Sequence, residues 1–134
     1  MELAIGLTGE SSTVVREDNT ADAMGAGGVR VFATPAMISL MENAAFAAVQ
    51  PMLPAGKTSV GALVNVQHLA ATPLGMRVRA FARLIAVDGR RLTFEVEAYD
   101  ERELIGKGIH ERQIVTLERF MERVNEKAHQ KASG

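Results

Sequence analysis

The densest run of apolar positions is Val31–Gln50, VFATPAMISLMENAAFAAVQ. It reads as a helix begun at Thr34-Pro35. Thr34 suits the N-cap, where its hydroxyl can accept from free N–H groups of the first turn. Pro35 suits the first helical position, which needs no N–H. Met37, Ile38, Leu40, Met41, Ala44–Val49 then occupy nearly every side. A helix apolar on most sides must be covered on most sides. At about 16 residues it falls short of the about 20 that span a bilayer, so it reads as a buried central helix. Its polar interior residues are Ser39, Glu42 and Asn43. An unpaired buried carboxylate costs several kcal/mol, which leaves two readings of Glu42. It either edges a thin solvent-facing stripe of Ser39, Asn43 and Gln50, or it works in a site.

Elsewhere the period is two. Ser11–Val15 reads as a first strand, followed by a polar stretch and the run Met24-Gly25-Ala26-Gly27-Gly28. That run lacks the GxGxxG and Gly-Lys-Thr spacings of phosphate loops and is read as a flexible connection, or a lid, before the helix. Pro51, Pro54 and Gly56 end the helix. Thr58–Leu69 reads as a strand with Ala62, Val64, Val66 and His68 on one face and Gly61, Leu63, Asn65 and Gln67 on the other. Arg77–Val87 and Arg90–Tyr99 form a hairpin around Asp88-Gly89. A three-residue loop, Val87-Asp88-Gly89, would pair Leu84 with Leu92, Ala82 with Phe94, Ala80 with Val96 and Arg79 with Glu97. A two-residue loop would mix the faces. Glu103–Leu117 is a further strand with Gly106, Gly108, His110 and Arg112 on one face. Leu117–Lys127 reads as a short, charged, exposed helix, and the last residues, HQKASG, as frayed. The order predicts an α+β class: an antiparallel sheet curled around one long central helix, in a single domain over residues 1–134.

Composition narrows the chemistry. A chain of 134 residues can bury about two-thirds of its unfolded surface. It has no cysteine, which excludes a thiol nucleophile and thiolate-bound zinc. No signal peptide or membrane-spanning window is apparent, and a cytoplasmic location is expected. Fifteen basic and 16 acidic residues give a net charge of −1, with only five Phe and one Tyr as aromatics. Neither a basic footprint nor a stacking platform for nucleic acid is present. The weak net charge is compatible with an oligomer. The three histidines, His68, His110 and His129, have no metal-ligand spacing, and no cofactor is expected. No GxSxG occurs. That leaves Thr34, Glu42 and His68, with Gly61, His110 and Arg112 beside them. Each has a structural reading: Thr34 as a cap, His68 as a hydrogen-bonded histidine at a strand end, Arg112 as a strand-face charge paired with Glu. The combination points to a site.

That combination resembles the fluoroacetyl-CoA thioesterase-like family of hotdog-fold proteins. The resemblance runs from about Val31 to Ile114. It is carried by Val31-Phe32-Ala33-Thr34, Leu40-Met41-Glu42, Val60-Gly61, Val64-Asn65-Val66-Gln67-His68, Ala70–Gly75, Val87–Leu92 and Gly108-Ile109-His110-Glu111-Arg112. It implies an acyl-CoA thioesterase acting on a small or medium acyl group, as a homodimer. It implies catalytic roles for Thr34, Glu42 and His68, and thioester positioning by Gly61 and Arg112. The family's namesake uses aromatic side chains just before the helix to select a fluorinated acyl group. The corresponding stretch, Gly25–Arg30, contains none.

Thioester hydrolysis needs an activated water or nucleophile and donors for the developing oxyanion. His68 or Glu42 can act as general base, or Glu42 can attack and form an anhydride. Thr34 and backbone N–H groups near Gly61 or the helix start can donate to the oxyanion. Thr34 and Glu42 are about 12 Å apart along the helix axis. Two chains, or a bridging substrate, must therefore combine them. A non-catalytic acyl-CoA binding or sensing protein is the alternative. A hydratase would need a close Asp–His pair that is not apparent.

Overall fold

A computed structural model describes residues 3–129. In chain order the elements are β1 (Thr8–Val14), α1 (Thr34–Val49), β2 (Lys57–His68), β3 (Arg77–Asp88), β4 (Arg91–Tyr99), β5 (Leu104–Thr116) and α2 (Leu117–His129), with one-turn helices at Glu17–Asn19 and Gln50–Met52. The strands form one antiparallel sheet in the order β1-β3-β4-β5-β2. The expected α+β arrangement, an antiparallel sheet around a long helix, is the observed one. The ends differ from the expected ones by at most three residues. His129, expected to fray, closes α2; residues 130–134 lie outside the described residues.

One face of α1 is buried through Met37, Leu40, Met41, Ala44, Ala45, Ala48 and Val49. Facing it across the sheet are Val78, Ala80, Ala82 and Leu84, then Leu92, Phe94, Val96 and Ala98. Small residues let the backbones approach closely. At Gly9 on β1 an added Cβ would stand 2.1 Å from the Ala44 carbonyl oxygen and 2.6 Å from the Ala48 nitrogen. The opposite side of α1 is open: Thr34, Pro35, Ser39, Asn43, Phe46 and Ala47 are exposed, with Glu42 at the margin. The solvent-facing stripe expected through Ser39 and Asn43 therefore exists. It also carries Phe46, 39% exposed.

The β3–β4 hairpin corrects the expected register. The loop has two residues, Gly89-Arg90, between paired Asp88 and Arg91. Gly89 is left-handed, at φ 61°. A bulge then falls between Leu84 and Ala86, and the pairs are Leu84↔Phe94, Ala82↔Val96 and Ala80↔Ala98. Arg79 faces Tyr99 rather than Glu97 and reaches Glu10 on β1 at 3.2 Å. The two-residue loop would have mixed the faces. The extra residue at Ile85 restores them, because one inserted residue reverses the alternation. The expected inward residues are all buried, with different partners.

β2 carries a second bulge, at Ala62, where the register with β5 shifts between Gly61 and Leu63. The face assignment along β2 is corrected accordingly. Gly61 does not share a face with Leu63. It shares the helix-facing side with Val64, Val66 and His68, opposite Arg112, His110, Gly108 and Gly106.

Replacing Gly9 by Ala drives a methyl into the α1 backbone. A loss of about 1–3 kcal/mol, the range for overpacking, is expected in urea unfolding. An unchanged midpoint would show that β1 and α1 separate freely.

Candidate active site

Thr34 is not the helix cap. Ala33 holds that position in an extended conformation, without a side-chain bond, and Thr34 is the first helical residue. Its hydroxyl therefore has no capping role and lies 2.7 Å from His68 Nδ1. The bulge at Ala62 puts His68, at the end of β2, on the same side of the sheet as this helix start. The pair borders a cleft of about 320 Å³ lined by Ala21, Val31, Phe32 and Leu69–Ala71. Burial of the imidazole lowers its pKa below 6.5, opposed by the Ala70 backbone. A neutral ring offers Nδ1 as the acceptor for the Thr34 O–H. Nε2 is then the protonated nitrogen; it is buried without a close hydrogen-bond partner. A hydroxyl donating to a neutral imidazole is the local geometry of a nucleophile or water-orienting group beside its base.

Two turns along α1, Glu42 meets a second group. Its Oε2 occupies the space that a side chain at position 61 would need, 2.6 Å from an added Cβ. A side chain at 61 would therefore displace the Glu42 carboxylate from its present position. Arg112 Nη1 is 3.9 Å from the same oxygen. Arg112 is itself nearly buried and held firmly: Nε donates to Ser59 Oγ and Nη2 to the Ser59 carbonyl, each at 2.8 Å. Its guanidinium lies 5.7 Å from the Phe46 ring centre. Burial lowers its pKa and the Glu42 carboxylate opposes that. Next to it is His110, 1% exposed.

The structure thus gathers the expected residues in two groups, Thr34 with His68 and Glu42 with Gly61 and Arg112. No hydrogen bond or ion pair among the described residues joins them. Ser59 escaped the sequence reading, although a small polar residue two positions before Gly61 on one strand face was a usable signal. The Gly25–Gly28 run is an exposed turn in which the Gly28 N–H donates to Asp22 Oδ1 at 2.8 Å. It does not join a strand to a helix, as a phosphate loop does. No group of three or more His, Asp or Glu side chains among the described residues is placed to hold a metal.

A helix laid on a five-stranded antiparallel sheet, with a threonine–histidine pair at the helix start and a carboxylate against a strand glycine, defines a hotdog-fold protein with a hydrolase-type site. Residues 15–118 match the family described as fluoroacetyl-CoA-specific thioesterase, and the chain belongs to that family of thioester hydrolases. It is 45% identical over 97 residues to the fluoroacetyl-CoA thioesterase of Streptantibioticus cattleyicolor, covering 72% of this chain and 70% of that protein. The solved structure of the fluoroacetyl-CoA thioesterase FlK superposes with a TM-score of 0.89 at 37% identity, over 95% of this chain and 98% of that one. A Thermus thermophilus member of the thioesterase superfamily gives 0.87 at 33% identity, over 97% and 98%.

His68 and His110 both have pKa values lowered from 6.5, chiefly by burial. Below pH 6.5 the unfolded chain therefore binds more protons than the fold. Their contribution to stability is complete above 6.5 and is lost as pH falls towards the folded values. Urea unfolding at pH 5.5 should give a stability lower than at pH 7.5. Equal stabilities would mean that both rings protonate freely in the fold.

Proposed function

We propose that this protein hydrolyses small or medium acyl-CoA thioesters to the free acid and CoA, as a homodimer with sites shared between two chains. The observation that carries the reading is the hydrogen bond between Thr34 and a neutral His68 beside the cleft. In this mechanism Thr34 Oγ takes a proton from a bound water as it passes its own proton to His68 Nδ1. The water oxygen adds to the thioester carbonyl carbon. Donors at Arg112 and the Gly61 backbone stabilise the oxyanion. The C–S bond then breaks, and the CoA thiolate takes up the proton. Glu42 is the second candidate base, or the nucleophile of an anhydride route. The relatives' names support the substrate class: FlK has been solved in variant forms with acetyl-CoA, and with fluoroacetate and CoA.

The dimer is argued from β2. It is a twelve-residue edge strand, with Leu63 and Val64 exposed at 43% and 41%. A long apolar edge is a template for pairing. Antiparallel pairing of two copies about the strand middle sets the His68 end of one β2 against the Gly61 end of the other. The Thr34–His68 pair would then face a Glu42–Arg112 group, and the two half-sites would combine. A cytoplasmic location belongs to the same reading, because the charged CoA moiety keeps its esters in the compartment where they form.

Selectivity follows from what precedes α1. The exposed Gly25–Arg30 stretch carries no aromatic side chain, so nothing there closes on a small acyl group. Free-thiol release from acetyl, fluoroacetyl, medium-chain and aryl CoA thioesters should show turnover without strong fluoroacetyl preference. Glu42→Ala should lower kcat by about a hundredfold or more. Acyl-CoA binding with no turnover of any thioester would instead establish the binding or sensing protein. Light scattering should give the mass of two chains, and Val64→Arg on the β2 edge should yield an inactive monomer. A monomer with wild-type activity would overturn the shared site.

A further inference from the structure

His110 is the most buried ionisable side chain beside the site, and the hydrolysis scheme above gives it no part. It lies on β5 two residues before Arg112, on the same helix-facing side, stacked on Phe94 with ring centres 6.2 Å apart. Its Nδ1 is 2.8 Å from the Leu63 carbonyl oxygen. A carbonyl only accepts, so Nδ1 carries the hydrogen. Its Nε2 is 3.2 Å from Arg112 Nη1. A guanidinium only donates, so Nε2 presents its lone pair. Both contacts demand one state, the neutral Nδ1–H tautomer.

The groups that act on this ring come from four elements: Arg112 on β5, Glu42 on α1, the Leu63 carbonyl on β2 and Phe94 on β4, with Glu111 acting only through its charge from the opposite face of β5. With Ser59 taking Nε and Nη2, His110 supplies the third fixed bond to the guanidinium. It acts on Nη1, the nitrogen 3.9 Å from Glu42 Oε2 and 3.8 Å from where a Gly61 Cβ would stand.

We propose that His110 is a positioning residue: as the neutral Nδ1–H tautomer it accepts from Arg112 Nη1, holding that nitrogen beside Glu42 and Gly61, and its protonation releases Arg112. A protonated ring would aim an N–H at a cation two residues away. Arg112 would lose its aim while keeping its charge. The kinetic consequence rests on the thioesterase reading; the tautomer and the hold on Arg112 do not.

Two variants separate the roles. In His110→Gln the amide oxygen can still accept from Arg112 and the NH₂ can donate to Leu63, but nothing titrates. In His110→Leu both bonds are gone. His110→Leu should lose about ten- to a hundredfold in kcat/KM, the range of a charge-assisted hydrogen bond. His110→Gln should recover several-fold of that loss, with an acid limb of the pH–rate profile less steep by one proton than wild type. In 15N NMR the wild-type ring should show a protonated Nδ1 and a bare Nε2. The Arg112 guanidinium protons should exchange more slowly in wild type and His110→Gln than in His110→Leu. An Nε2–H tautomer, equal Arg112 exchange in all three proteins, or an acid limb unchanged by Gln would overturn the proposal. Should His110→Leu fail to fold, the Gln profile and the wild-type spectrum decide alone. A wild type inert towards every thioester overturns the proposed function, and the NMR arm still tests His110.

Discussion

Covering α1 is the constraint on which the rest of the structure depends. Its sequence is apolar on nearly every side, and each large side chain it buries contributes about 1.5–3 kcal/mol. The sheet meets that demand with small residues: Gly9 lies against the α1 backbone, Gly106 leaves room for the Met37 side chain, and Ala80, Ala82 and Ala98 are buried in the core. An added Cβ at Gly106 would strike Met37 Sδ at 2.5 Å. Such packing fixes the helix in rotation and along its axis, and two candidate site residues ride on it. The start of α1 arrives at the end of β2, where Thr34 meets His68. Two turns later Glu42 arrives over Gly61. The same packing leaves one flank of α1 and the β2 edge open, which is where a second copy is proposed to sit.

Alternation along strands supplies the second condition. A strand offers every other residue to the helix, so Gly61 and His68, an odd number of positions apart, would fall on opposite faces of a regular β2. The bulge at Ala62 brings them to one side, across from Arg112 and His110. The bulge at Ile85 does the corresponding work in the hairpin, keeping Leu84 and Phe94 in the core despite a two-residue loop. One bulge preserves the core and the other assembles the site. Both act by changing parity by one.

Electrostatics explains why the Arg112 corner is so heavily furnished. A nearly buried guanidinium is costly unless its N–H groups are satisfied. Here Ser59 supplies two acceptors, His110 a third and Glu42 the counter-charge. Both histidines near the site are held neutral by burial, so they present lone pairs: one to Thr34, one to Arg112. The candidate site thus combines one ion pair with two neutral imidazoles, an arrangement suited to moving a proton and stabilising a developing oxyanion.

Sequence alone determined the class of fold, because periods of 3.6 and 2 report which faces are buried whatever those faces touch. It located α1, all five strands and the exposed α2. It also singled out Thr34, Glu42 and His68, with Gly61, His110 and Arg112 beside them, as a combination that resembles the sites of a known family. It did not determine the two bulges, since an inserted residue leaves the local pattern intact and shows only in what lies opposite. The hairpin register and the face of Gly61 were misjudged for that reason. Thr34 was taken for a cap, because capping is a local role that any threonine before a proline can fill. Its bond to His68, 34 residues away in sequence, exists only once β2 passes the start of α1. Ser59 acquired meaning in the same way, as the partner of an arginine on another strand, and His110 did so through its bond to Leu63 on β2. Tertiary structure decided these points because long-range proximity, unlike helix or strand period, leaves no mark in neighbouring residues.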